Sequence, residues 1–242
     1  SWVGFVPLLE VITSRHSCKS LLKFSFLWGI IYNMIVIFWL ATNIGTSTLI
    51  AFITMILSVF ILSLNTVLVC YIWYQIKDSF PKFSIILFAV IWVVLEYLRS
   101  YGLLGFPWIS LANSQTDYLY LIQIVEYTGI YGITFWVLII NILLFDFIKM
   151  GWNPKIKYYL SIIILPWIIG YALYHSFDNS LNRINNLSTI VIQPNISLSD
   201  KRDSYNKDQI LNEIIDSTLN NINSETEFII WPESAMPFHR IQ

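Results

Sequence analysis

The side chains best suited to chemistry fall in three stretches. Near the carboxyl end, Phe228-Ile229-Ile230-Trp231 is a short apolar run that predicts a buried strand. Pro232 cannot donate to a sheet ladder and ends it. Glu233 therefore stands just past a strand's carboxyl end, where open α/β sheets gather their reactive groups. A carboxylate there can be a general base or an ordinary solvated surface group, and this stretch alone leaves both readings open. The second stretch holds Glu96 and Arg99, three residues apart on one helix face inside an apolar segment. Charges at membrane depth are costly, so they tend to face a cavity and to pair. Two readings stand for them, a structural ion pair at the outer interface and a contact to lipid. The third stretch, Gly105-Phe106-Pro107-Trp108, breaks the helix that carries this pair. Trp108 has the amphipathic ring that anchors a chain at a membrane interface. Glu126 and His175 read as interfacial groups of the same kind.

These residues are set into a chain of 242 residues that is 56% hydrophobic and only 12% charged, against about 25% charged for ordinary soluble domains. The mean hydropathy is +0.64, and the windows 24–42 and 49–76 carry no charge. An integral membrane protein follows. The net charge of -1 comes with no basic stripe or stacking platform, so no nucleic-acid partner is expected. Cys18 and Cys70 form no CxxC pair, which excludes a disulfide framework and a cysteine zinc site. No cofactor and no metal is expected.

Five spans are predicted, over about 24–42, 49–76, 83–104, 130–147 and 158–174. Gly129 and Gly132 divide the long apolar run 118–145 into a short interfacial segment and the fourth span, and Pro166 predicts a kink in the fifth. The loops 15–23, 77–82 and 149–157 are basic, whereas 43–48 and 105–117 contain no lysine or arginine. The positive-inside rule puts the basic loops in the cytoplasm and the tail, with Glu233, on the opposite face. Composition turns polar near Ser176, which divides the chain into a helical membrane domain, 1–175, and a soluble α/β segment, 176–242. There, 187–192 reads as a strand and 204–222 as an amphipathic helix capped by Asp203 or Ser204. With the strand at 228–231, this predicts a right-handed parallel pairing. Two strands and one helix do not make a stable domain. The chain starts at Ser1 with no basic leader region and stops soon after a strand, so further sequence is expected at both ends.

Glu96-Tyr97-Leu98-Arg99, Gly105-Phe106-Pro107-Trp108, Ser114-Gln115, Gln193-Pro194-Asn195-Ile196 and Trp231-Pro232-Glu233-Ser234-Ala235 occur in that order on spans and then on a soluble α/β segment. In these pieces the chain resembles the apolipoprotein N-acyltransferases, membrane members of the nitrilase (carbon–nitrogen hydrolase) superfamily. The resemblance implies a bacterial inner-membrane protein with an extracytoplasmic nitrilase-like α/β sandwich, of which 176–242 is the beginning. It implies a phospholipid acyl donor and a diacylated apolipoprotein acceptor, whose S-diacylglyceryl cysteine receives the chain on its amino group through a cysteine thioester. It assigns the glutamate of a Glu–Lys–Cys triad to Glu233, the general base. It points to Glu96, Arg99 and Trp108 as substrate-binding residues.

The lysine and cysteine of that triad follow well after the glutamate in the superfamily, and only nine residues follow Glu233 here. Cys18 lies in a basic loop and Cys70 within a span, so this chain by itself is expected to be inactive. Arg202 stands where some members carry a tryptophan. Two other readings remain: a membrane-tethered amidase or nitrilase-like hydrolase, and an inactive degenerate membrane protein.

Overall fold

A computed structural model of the chain describes residues 1–14, 17–43, 45–102, 105–151, 156–181, 187–196, 207–232 and 235. The chain forms two compact units, Ser1–Asn179 and Ser180–Gln242.

The first unit is helical. The helix α1 spans Val6–Ser14, α2 Cys18–Ile37, α3 Thr48–Ile76, α4 Ser84–Arg99, α5 Leu119–Ile122, α6 Val125–Met150 and α7 Ile156–Leu181. Five segments are long and apolar enough to cross a membrane: Cys18–Thr42, Thr48–Ile76, Pro81–Arg99, Val125–Met150 and Lys157–Phe177. Ser17 and Ser47 cap α2 and α3, accepting from the backbone N–H of Ser20 and Ile50. At 29 residues α3 is about 44 Å long, more than a hydrocarbon core of ~30 Å requires. The predicted break in the 118–145 run falls at Gly129, whose φ of 63° and ψ of 177° belong to a region open essentially to glycine alone. Gly132 does not interrupt the helix.

The stretch before the first span, too short to cross a membrane, folds as α1 and enters the core. Phe5, Leu8, Leu9 and Ile12 are buried against Leu21, Val69, Trp73, Phe88, Trp92, Leu138 and Ile142. Phe5 meets Trp92 edge-on at 4.6 Å, an orientation aromatic rings prefer. Between α2 and α3 the contact is made by small and polar residues. A Cβ on Gly29 would lie 3.1 Å from Ser63 Cα, so glycine permits this approach. Asn33 Nδ2 donates to Gly29 O at 2.8 Å, and Ser63 Oγ donates to Val59 O at 2.6 Å. This is how membrane helices associate, because apolar side chains gain nothing by leaving lipid for protein. The large apolar residues Ile31, Ile35, Ile53 and Ile61 accordingly face outward.

Lys149 and the turn around Lys77 both lie beside α1. Lys149 pairs with Glu10 at 2.6 Å, near the end of α1, and Thr13 shares a cavity of about 260 Å³ with Lys77, Asp78 and Ser84. Segment 105–117 follows α4 at its other end, about 24 Å away along a 16-residue helix.

In the second unit, β1 (Thr189–Val191) and β2 (Phe228–Ile230) pair in parallel, with Thr189 opposite Phe228 and Val191 opposite Ile230. The connecting helix α8 is Lys207–Asn221. Ile210 and Ile214 from α8 pack with Ile192 and Ala235, and Trp231 Nε1 donates to Thr218 Oγ1 at 3.1 Å. The predicted caps Asp203 and Ser204 lie outside the described residues.

Candidate functional site

The Glu96 carboxylate is 5% exposed, one turn before the end of α4. Its oxygens are occupied by donors from distant parts of the chain. Ser110 Oγ and Thr134 Oγ1, the latter on α6, donate to Oε1 at 2.6 and 2.7 Å. The Leu111 N–H approaches Oε2 at 3.5 Å. Glu96 therefore ties the loop after α4 to α6. The pattern follows from solvation: a carboxylate withdrawn from water must recover hydrogen bonds, and two hydroxyls on one oxygen supply charge-assisted ones.

Of the two sequence readings for Glu96 and Arg99, the ion pair does not form: no carboxylate lies within 4 Å of the Arg99 guanidinium among the described residues. Arg99 Nε is buried and has no acceptor among them. Arg99 borders a small cavity of about 20 Å³ shared with Tyr32, Asn33, Asn65, Thr66 and Glu96, room for one or two water-sized groups. Sequence spacing put the two charges on one helix face but could not show that Glu96 would be claimed by hydroxyls 14 and 38 positions away.

Trp108 is 64% exposed, in a one-turn 3₁₀ segment, Pro107–Ile109. The loop that presents it is fixed by backbone bonds, Phe106 N to Arg99 O at 3.1 Å and Ser110 N to Pro107 O at 3.1 Å. Asn113 Nδ2 also donates to Trp108 O, at 2.9 Å. Gln115, 1% exposed, accepts from Trp2 Nε1 at 2.7 Å and donates to Ser1 Oγ at 2.8 Å. Asn141 in α6 accepts from the Phe5 N–H at 2.9 Å and donates to Ser1 O at 3.0 Å. Sequence reasoning missed Asn141, Thr134 and Ser110 as organising residues. The available signal was a polar side chain within an otherwise apolar span.

Glu233 lies outside the described residues. Around it, β2 ends at Ile230 before Pro232, and the Ala235 N–H donates to Pro232 O at 3.1 Å. At the end of β1, Asn195 has a left-handed φ of 54°, a conformation asparagine tolerates better than most residues. Cys70 is buried in α3 and Cys18 opens α2, so both thiols belong to the helical unit. No group of three His, Cys, Asp or Glu that could hold a metal occurs among the described residues.

A multi-pass helical membrane unit followed by the first parallel strands of an α/β unit defines the class of protein. Residues 1–143 match the family model described as Apolipoprotein N-acyltransferase N-terminal domain, and the chain belongs to that family. It is 31% identical over 250 residues to the apolipoprotein N-acyltransferase of Wigglesworthia glossinidia brevipalpis, covering 98% of this chain and 48% of that protein. It is 26% identical over 247 residues to the protein of the same name from Chlorobaculum tepidum, covering 99% and 45%. The Geobacter metallireducens protein is 27% identical over 252 residues, covering 99% and 47%. The chain spans about half the length of the curated relatives it matches.

Proposed function

We propose that this chain is the membrane part, and the beginning of the α/β part, of an enzyme that moves an acyl chain from a phospholipid to the amino group of an S-diacylglyceryl cysteine on a lipoprotein. The observation that carries the reading is the family membership of residues 1–143, together with relatives of that name matched along almost the whole chain. In the proposed chemistry a cysteine thiol attacks the donor's ester carbonyl while Glu233 takes its proton. A lysine stabilises the tetrahedral oxyanion. The C–O bond breaks, the lysophospholipid alcohol leaves with the proton, and a thioester remains. The lipoprotein amine then attacks the thioester carbonyl, the C–S bond breaks, and the thiolate recovers a proton. Arg99 and Trp108 contact the donor lipid, and Glu96 positions the loop between them.

The test uses a polypeptide that joins this chain to the lysine and cysteine of the triad, incubated with phospholipid and a diacylglyceryl-cysteine peptide. Triacylated peptide is expected by mass spectrometry from that polypeptide and none from the 242-residue chain. Ammonia release from soluble amides without acyl transfer would replace this reading by the hydrolase one. Turnover by the 242 residues alone would remove the triad.

The protein is further proposed to lie in the bacterial inner membrane with residues after about Ser176 on the outer face. The alternation of basic loops, and the approach of Lys149 and of the Lys77 turn to α1, support this. In a variant with Cys18 and Cys70 replaced, Asp200→Cys should react with a membrane-impermeant maleimide on intact spheroplasts, and Ser79→Cys only after lysis. The opposite pattern would invert the orientation.

A further inference from the structure

Glu96 and Arg99 form no direct pair, yet both border the same cavity of about 20 Å³ between the spans. Each brings to it an atom with hydrogen-bonding capacity to spare. Arg99 Nε is buried and has no acceptor among the described residues. Glu96 Oε1 takes two hydroxyl donors, whereas Oε2 has only the Leu111 N–H, at 3.5 Å, among the described residues. A carboxylate oxygen accepts two bonds, so Oε2 is underused. Size and charge select what can join these atoms. The cavity exceeds the ~10–15 Å³ that one water needs and is too small for a phosphate or a carboxylate. Glu96 repels an anion there and Arg99 repels a cation. A small neutral molecule that both donates and accepts is left, and water is that molecule. The remaining wall supplies further polar groups, from Asn33 on α2 and from Asn65 and Thr66 on α3.

We propose that this cavity is a built site for one ordered water, which accepts from the Arg99 Nε–H and donates to Glu96 Oε2. The two charges lie three residues apart on α4, about 4.5 Å along its axis, and a water spans polar groups that stand too far apart for direct contact. Both bonds are charge-assisted. Without the water, two charged groups inside a membrane unit would each lack a partner, which is costly. The water thus completes one polar network, from Arg99 through Glu96 to Ser110 in the following loop and Thr134 on α6. It turns the Nε edge of Arg99 inward and makes Arg99 a positioning residue for that loop. A glutamine at position 96 leaves the water its place, since water can turn round to accept from an amide. The site stands whether or not the transferase reading does.

The experiment looks for the water at the Arg99 Nε–H. Replacing Arg15, Arg183, Arg202 and Arg240 by lysine leaves Arg99 as the one arginine of the sequence, so isotope-labelled arginine gives one Nε–H signal by nuclear magnetic resonance in mild detergent. Cross-relaxation between that proton and water is expected, of opposite sign in the laboratory and rotating frames, which marks a held water. Exchange with bulk solvent gives the same sign in both frames and would overturn the proposal, as would an Nε–H with no water signal. Val69→Ile supplies a second, independent reading. Val69 lines the cavity from α3, and one added methyl group there displaces a water. The variant is expected to lose the cross-relaxation, and its unfolding constant should rise about fivefold or more, because two buried groups lose their partner. Filling a dry cavity has the opposite sign, so a more stable Val69→Ile would also overturn the proposal.

Discussion

Replacing Glu233 by glutamine, in a polypeptide that also carries the lysine and cysteine of the proposed triad, is expected to lower acyl-thioester formation by about 10²–10⁴-fold, the usual scale of a lost general base. The loss can be larger where groups act as one unit. Glutamine keeps the size of the side chain and much of its hydrogen bonding, but it cannot take the thiol proton. The defect therefore falls on the first half-reaction, before any lipoprotein amine is involved. A purely structural Glu233, hydrogen-bonded to backbone beyond β2, gives a different pattern: glutamine is nearly neutral, and Glu233→Ala lowers folded yield instead. Thioester formation and folded yield are measured together for both substitutions, with lysophospholipid release as an independent record of the first step. Near-normal thioester formation by a well-folded glutamine variant would take Glu233 out of the mechanism.

What could be read from the residues, and what could not, divides by the range of the interactions involved. The spans were legible because a charge-free window is a local property, and α3 and α7 contain the windows that hydropathy marks, whereas α2 already begins at Cys18, within the expected loop 15–23, and α4 ends at Arg99, short of the expected 104. The break at Gly129 was legible because glycine alone accepts that backbone geometry. The parallel pairing of Thr189–Val191 with Phe228–Ile230 follows from two apolar runs separated by an amphipathic helix. The helix α1 leaves only a short trace, Phe5, Leu8, Leu9 and Ile12 at helical spacing, because a nine-residue buried helix is too short to stand out as an apolar span. The tie from Glu96 to Ser110 and Thr134 leaves no periodic trace. Nothing local in α4 says that Glu96 will meet hydroxyls from the following loop and from α6, while Arg99, one turn on, borders the same small cavity without a carboxylate within 4 Å among the described residues. The small-residue contact at Gly29 and Ser63 is similarly tertiary, visible in sequence only as polar letters in apolar windows.

Glu96→Ala is expected to destabilise the helical unit by about 3 kcal/mol, because it removes a buried charged acceptor that two donors share. The hydroxyls cannot fully compensate. Ser110 Oγ and Thr134 Oγ1 lie 3.3 Å apart, so one can donate to the other, but the second then has no acceptor from Glu96. Hydrogen bonds between membrane helices average well below this value, near 0.6 kcal/mol, since helices separated in lipid find other partners. Glu96 exceeds that average because its carboxylate is 5% exposed and joins three segments of chain. Glu96→Gln should cost no more than about 1 kcal/mol. Both hydroxyls donate to the same oxygen, Oε1, which glutamine retains, and the amide nitrogen replaces only the distant 3.5 Å acceptor of the Leu111 N–H. Unfolding by denaturant in detergent ranks the variants, and hydrogen exchange locates the damage. Amides of 107–115 should exchange faster in Glu96→Ala, while those at the α2–α3 contact around Gly29 and Ser63 keep their protection. A tie that merely decorates the surface predicts neither effect. An alanine variant within about 0.5 kcal/mol of the unsubstituted protein, the range of ordinary surface substitutions, would show that Glu96 does not hold the loop carrying Trp108.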